Sequence, residues 1–505
     1  KDVSNLGNVR LRLDSMDGRE QIVHRSRFVV ATRSEKLEYA GVNGTKRIFD
    51  NYEYKAFTTV GDCGSVATLQ DHPSFGCRRI LGIHVAGSPS SGLGFTTIIY
   101  AELLKTMLDQ FDVPREVFPQ AGNHNTFAEP VCEGSFVGLN FSDRTYNMNP
   151  TSSLIKTKLY GLWGKLDKKP APLAPFTDKE TLEVIKPMAK AVEGYATPVL
   201  HFDSERVAEA AYHAFAPLRK LTRDHTRRIV PFEEAVAGVP DTNINGIPRG
   251  TSPGFPYVLD GITSKKPFFG GADDYTFDQP IAVAVKERVE NILEEARSNV
   301  RLPHIYVDFL KDELRPTVKA KAGQSRLISA APMDYVIAFR MMFLSFTSAV
   351  QSTRVHNGVG VGVNHYTEWD MLARKLKSKG PHCVAGDFKG FDKEEQPAIH
   401  WAILDQINEW YDDGPENARI RRVLWLEVVH SRHFGGLDGK ADRFYQWNKS
   451  LSSGHPATSI INSFYGLILF VLVWVDSVGP LSASTFWDYV YVCTYGDDNV
   501  LNIAT

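Results

Sequence analysis

Two pairs of aspartates carry the most chemistry in this chain. Asp497 and Asp498 are adjacent in Tyr495-Gly496-Asp497-Asp498, between the apolar runs DYVYVCT and NVLNI. Two strands joined by a Gly-Asp-Asp turn make a hairpin with adjacent carboxylates at its tip. Upstream, VAGDFKGFD sets Asp387 at the end of an apolar run and Asp392 five positions later. Either feature alone is more often a solvated turn. Together they match the need of nucleotidyl transfer, in which carboxylates from separate strands bridge two divalent ions about 3.5–4 Å apart. Oxygen-only ligands suit Mg2+, with Mn2+ as a substitute. The expectation is that Asp387 and Asp497 stand side by side and that Asp498 assists.

Three further segments fit the same chemistry. Ser453-Gly454-His455-Pro456-Ala457-Thr458 opens an apolar helix that continues through Asn462. Thr458 and Asn462 lie one turn apart on one face. Small hydroxyl and amide groups can read a ribose 2′-hydroxyl, which both donates and accepts. The plainer reading is a helix start with a structural Asn. KDELRPTVKAKAGQSRLIS spaces Lys311, Arg315, Lys319, Lys321 and Arg326 along an expected β-hairpin. Such cations neutralise a triphosphate and the departing pyrophosphate, although charged runs are usually solvated loops. Gly250-Thr251-Ser252-Pro253-Gly254-Phe255-Pro256-Tyr257 is a stiff loop able to guide a template strand, or an ordinary surface turn.

These residues need a large scaffold. The chain has 505 residues, 43% of them apolar, enough for more than two folding units. A net charge of -2 argues against a uniformly basic coat but leaves room for a basic channel. Cysteines 63, 77, 132, 383 and 493 show no C-x-x-C spacing, so neither zinc nor a disulfide framework is indicated. The greasiest run, Phe464 to Trp474, is shorter than the ~18 apolar residues of a spanning helix and reads as a buried one. Residues 21–100 alternate short apolar stretches with turn residues, as an all-β unit does. Residues 113–176 are rich in Pro, Asn, Ser and Gly and read as linker or extended arm. Helical signals dominate from Thr177 onward, interrupted by short strands at 382–388 and 489–496, both expected to be buried.

The order of these motifs resembles that of picornavirus-type RNA-dependent RNA polymerases. KDELR…SRLI resembles the family's motif F, DFKGFD its motif A, SGHPATSIINS its motif B, YGDD its motif C and TSPGFPY its motif G. The resemblance implies an α+β right-hand fold over residues 151–505, with fingers and palm present and the thumb lying outside a chain that stops shortly after motif C. It implies metal handling by Asp387, Asp497 and Asp498. Sugar selection would fall to Asp392, Ser453, Gly454, Thr458 and Asn462, and triphosphate binding to Lys311, Arg315, Lys319 and Arg326. The implied partners are a viral RNA template and primer, NTPs and a protein primer linked to the genome, in the host cytoplasm at membrane-associated replication complexes.

A second resemblance covers roughly residues 20–110, within a unit expected over residues 1–118. G-x-C-G at Gly61-Asp62-Cys63-Gly64, followed by Gly82-Ile83-His84-Val85-Ala86-Gly87, is similar to the C-terminal all-β barrel of picornavirus-type, chymotrypsin-like cysteine proteases. Cys63 matches the nucleophile. Thr58 and His84 match residues that bind the substrate side chain before the scissile bond of a viral polyprotein. The family's general base and its acidic orienter belong to an upstream barrel. His24 sits within the barrel of the nucleophile and is read as non-catalytic, so the fragment is expected to be proteolytically inactive. Residues 119–150 read as a linker with a processing site at Gln120. Three rival readings are a reverse transcriptase, which usually blocks the 2′-hydroxyl with a bulky side chain, a cysteine hydrolase with an inert C-terminal region, and a non-catalytic RNA-binding scaffold.

Overall fold

The structure, a computed structural model, describes residues 5–16, 22–41, 44–55, 65–70, 79–88, 91–99, 115–116 and 136–504, apart from residues 163, 165, 166, 201, 272, 273, 438, 480 and 481. The chain divides into two compact units, residues 1–113 and 114–505.

In the first unit, period-two alternation builds strands. Val9, Leu11 and Leu13 alternate with Arg10 and Arg12 in β1 (Asn5–Met16), a strand that precedes the stretch read as strand-rich. It is followed by β2 (Ile22–Gly41), β3 (Gly44–Lys55), β4 (Val66–Gln70), β5 (Arg79–Ser88) and β6 (Leu93–Ile98). All neighbours are antiparallel and close into a barrel of order β1-β2-β3-β6-β5-β4. Closure leaves no unpaired edge.

Among the described residues, the two largest sheets of the second unit have five and three strands. A five-stranded sheet runs in the order Leu327–Ala330, Ile305–Leu310, Arg432–Gly435, Lys440–Trp447, Phe136–Asn147. The last strand lies inside the stretch read from composition as linker. Its Gly, Asn and Ser residues look like loop, but cross-strand pairing to Lys440–Trp447 decides otherwise. A three-stranded sheet orders Val384–Gly386, Asp498–Ile503, Val490–Tyr495. Val490–Tyr495 is buried except at its last residue, as expected. Val384–Gly386 is exposed throughout, contrary to expectation, because it lies at the sheet edge; Val384 is 61% exposed.

Long helices pack between the sheets. Met333–Ser352, Pro397–Tyr411, Pro415–Val429 and Thr458–Val478 contribute to one core, with Phe215 stacked on Phe464 at 4.0 Å and Phe339 on Phe343 at 4.1 Å. Met333–Ser352 and Thr458–Val478 are long and apolar enough to cross a membrane by length and composition alone. The apolar run around Phe464 therefore extends into a longer helix than its greasiest stretch indicated. Both helices are mostly buried in the protein, and a helix buried on several sides is apolar for that reason.

Candidate active site

The carboxylate hairpin is built by strand register. Tyr495 pairs with Asp498, leaving Gly496 and Asp497 as a two-residue turn. Gly496 has φ +63°, a left-handed conformation that glycine adopts without a Cβ penalty. Its N–H donates to Ser463 Oγ at 2.9 Å, and Thr494 Oγ1 donates to the Ser463 carbonyl at 3.0 Å. The turn is thereby tied to the Thr458–Val478 helix. On the other side of the hairpin, Gly386 pairs with Asn499. That pair is the last in the register, and Asp387 is the next residue along the chain. Asp387, Asp497 and Asp498 are all exposed.

Among the described residues, no three His, Cys, Asp or Glu side chains are gathered as a ready metal cluster. The fit to a metal rests on donor chemistry. The adjoining strand ends offer only oxygen donors, and Mg2+ takes one or two carboxylates with waters and phosphate oxygens completing its shell.

Asp392 sits differently. Gly390, at φ +67°, turns the chain into the short helix Phe391–Glu394, whose Phe391 is buried beside Phe388 and Tyr465. The Asp392 carboxylate accepts from Tyr195 Oη at 3.1 Å. Burial raises its pKa, and the Asp497 charge adds to the rise. Its carbonyl accepts from Leu451 N at 3.0 Å, and the Glu395 carbonyl accepts from Ser450 N at 2.9 Å. These bonds join the Asp392 turn to the segment that leads into Ser453.

The Ser-Gly loop is anchored by its backbone. A Cβ on Gly454 would lie 2.1 Å from the Ser329 carbonyl oxygen, so only glycine permits this approach. Ser453 Oγ accepts from Ser329 N at 3.3 Å, which directs that hydroxyl to the Leu327–Ala330 strand. Thr458 Oγ1 lies 3.0 Å from the Ser452 carbonyl and 2.9 Å from that of His455, closing the helix start. Asn462 is buried, and its amide orientation follows from its neighbours. With the nitrogen turned inward it donates to the Thr458 carbonyl and to Glu395 Oε1, both at 3.0 Å.

The basic segment is organised by an acid. Strands Ile305–Leu310 and Leu327–Ala330 pair as expected of a hairpin, but the chain between them makes an excursion. Leu314–Pro316 pairs with Lys168–Pro170, and Thr317–Lys321 is helical. Glu313 accepts from Arg326 Nε at 2.6 Å and lies 3.6 Å from Lys311 and 3.7 Å from Arg315. The Arg326 hydrogen bond foremost, with nearby cations, lowers the Glu313 pKa. Arg326 in turn feels Asp392 and Asp497, which helps raise its pKa beyond the Glu313 effect. Lys319 is exposed on its helix. In the template-loop candidate, Lys265 Nζ donates to Thr251 Oγ1 at 2.7 Å and to the Ser252 carbonyl at 2.6 Å. Burial pushes that ammonium down to about 8.

Tyr195, Glu395, His400 and Glu313 were not singled out by sequence reasoning. Glu313 was visible within KDELR, whereas Tyr195 lies 197 positions from its partner and gives no sequence signal. In the barrel, His84 is buried on β5 and its Nδ1 lies 2.6 Å from Tyr54 Oη. Thr58, Cys63 and Gln120 lie outside the described residues, as does the side chain of His24.

With this geometry in place, comparison with known proteins defines the class. A solved structure described as Sicinivirus 3Dpol RNA dependent RNA polymerase superposes with a TM-score of 0.60 at 21% identity, covering 73% of this chain and 72% of that one. The chain therefore has a polymerase fold. The sequence profile of the family described as viral RNA-dependent RNA polymerase matches residues 162–505, and the chain belongs to that family. It is 33% identical over 493 residues to the replicase polyprotein of Drosophila C virus, covering 90% of this chain and 27% of the relative. The corresponding figures for the replicase polyprotein of Cricket paralysis virus are 30% over 508 residues, 93% and 28%. The chain thus spans about a quarter of the length of these curated relatives.

Proposed function

We propose that this chain is the RNA-dependent RNA polymerase portion of a positive-strand, picorna-like virus polyprotein, and that it catalyses template-directed NTP addition. The observation that supports the reading is the register that pairs Gly386, the residue before Asp387, with Asn499, the residue after Asp498 in the Gly496–Asp497 hairpin. Asp387, Asp497 and Asp498 would hold Mg2+, which when bound favours an ionised primer 3′-hydroxyl and neutralises the leaving pyrophosphate. Arg326, Lys311, Arg315 and Lys319 bind the triphosphate; Glu313 keeps the first three pre-oriented, which reduces reorganisation when the substrate arrives. Asp392, Ser453, Gly454, Thr458 and Asn462 line the sugar-selecting side. Polar groups at Asp392 and Asn462 favour a ribose over a reverse transcriptase's deoxyribose. The partners on this reading are RNA template and primer, NTPs and a genome-linked protein primer. The same reading implies work at membrane-associated complexes in the host cytoplasm.

The test is primer extension by the full-length polymerase with Asp497→Ala. Loss of several kcal/mol of charge stabilisation predicts a rate about a thousandfold lower or worse. Unchanged extension by a folded variant rejects the assignment.

For residues 1–113 we infer a chymotrypsin-like cysteine protease barrel, supported by the closed antiparallel six-stranded topology and by the buried His84 with its Tyr54 partner. In the complete protease Cys63 would be the nucleophile, Thr58 and His84 would contact the substrate side chain, and the viral polyprotein would be the substrate. This segment alone should not cleave peptides. Turnover by residues 1–113 that vanishes with Cys63→Ala would refute that expectation.

A further inference from the structure

Behind the sugar-selecting side chains lies an acid that the proposed chemistry does not use. Glu395 follows the Phe391–Glu394 helix and is fully buried. Its Oε1 is the acceptor for the Asn462 amide nitrogen, and its Oε2 lies 3.0 Å from His400 Nε2, itself fully buried. An amide has one donor end and one acceptor end. Whatever engages its nitrogen decides which end faces outward.

We propose that Glu395 is a positioning residue for sugar selection: by engaging the Asn462 nitrogen, it leaves the Asn462 carbonyl oxygen as the acceptor for the nucleotide's 2′-hydroxyl. This rests on the reading that Asn462 helps to sort ribonucleotides. The Thr458 carbonyl accepts from the same nitrogen, so both amide protons have inward partners. Burial, reinforced by Asp392 and Asp497, raises the Glu395 pKa and so favours its neutral form, and burial pushes His400 down to about 3. A neutral carboxyl has one oxygen purely accepting and one carrying a proton. Glutamine reproduces that pattern, whereas methionine keeps the bulk and offers the Asn462 nitrogen no comparable acceptor. Without that acceptor the Asn462 amide can reverse and present a donor instead.

The readout is the ratio of kcat/KM for single incorporation of CTP against dCTP by the full-length polymerase with Mg2+. Glu395→Met should reduce the ratio about tenfold, the scale of one hydrogen bond, while Glu395→Gln should preserve it. Asn462→Leu is the control for the underlying reading and should also reduce the ratio. If Asn462→Leu reduces it and folded Glu395→Met does not, the positioning role is wrong and the sugar-selecting role of Asn462 survives. If Asn462→Leu leaves the ratio unchanged, the sugar assignment fails and the positioning role fails with it. General packing damage would slow both nucleotides alike and count against the proposal. Should Glu395→Met not fold, Glu395→Ala decides. It likewise removes the acceptor for the Asn462 nitrogen and should lower the ratio about tenfold; an unchanged ratio overturns the proposal.

Discussion

At the scale of the residue, the candidate site mixes exposed and buried acids. Asp387, Asp497 and Asp498 are exposed. Asp392 and Glu395 are drawn inward, and both pKa values rise, chiefly through burial. The rise at Glu395 makes stability depend on pH. A raised folded pKa means that folding favours the protonated form. That contribution is fully present below the ordinary value of 4.5 and is lost as pH rises through the folded value. Asp392, Asp497, His400 and Tyr465 surround the group, and none of them supplies a cation at neutral pH. Glu395→Gln removes the proton requirement. In metal-free buffer its stability advantage over the unsubstituted protein should therefore grow above pH 4.5, by at most about 1.4 kcal/mol per pH unit. Urea titrations from pH 5 to about pH 8 measure this; a pH-independent difference would show that Glu395 is ionised in the folded state.

At the scale of the element, glycines mark where backbones meet. A Cβ at Gly454 would press into the Ser329 carbonyl at 2.1 Å, whereas one at Gly386 would meet the Asn499 side chain at 2.7 Å. Backbone cannot step aside as a side chain can. Gly454→Ala should cost about 1–3 kcal/mol, the range for overpacking, and Gly386→Ala less than about 1.5 kcal/mol. Thermal unfolding of the two variants compares them directly; equal losses would mean that Ser329 gives way as easily as Asn499. The same scale explains one expectation that had two outcomes and one that was mistaken. Phe136–Asn147 reads as linker or extended arm until its partner strand is known, and Val384–Gly386 reads as buried although it is an edge. Sheet position belongs to neighbours, not to the strand's own composition.

At the scale of the whole molecule, the chain is two compact units, each with its own buried side chains. Units of this kind unfold separately unless a large apolar interface couples them. Scanning calorimetry of the full chain should resolve two transitions, and deleting residues 1–113 should remove one while leaving the other within a few degrees. A single transition that collapses on deletion would establish strong coupling. The overall charge of -2 is no guide to the site, because the cations at Lys311, Arg315 and Arg326 are gathered locally around Glu313.

What the sequence determined by itself was the set of candidate site motifs and their order: YGDD, DFKGFD, the Ser-Gly helix start and the basic run are local patterns, and local patterns survive in one dimension. It also marked the apolar helices, because burial on several sides leaves a continuous apolar run. The tertiary structure alone decided which strand end meets which turn, that Tyr195 reaches Asp392 across 197 positions, and that Glu395 lies behind Asn462. Those contacts join residues far apart in the chain, and they form only once helix and sheet packing has brought their elements together.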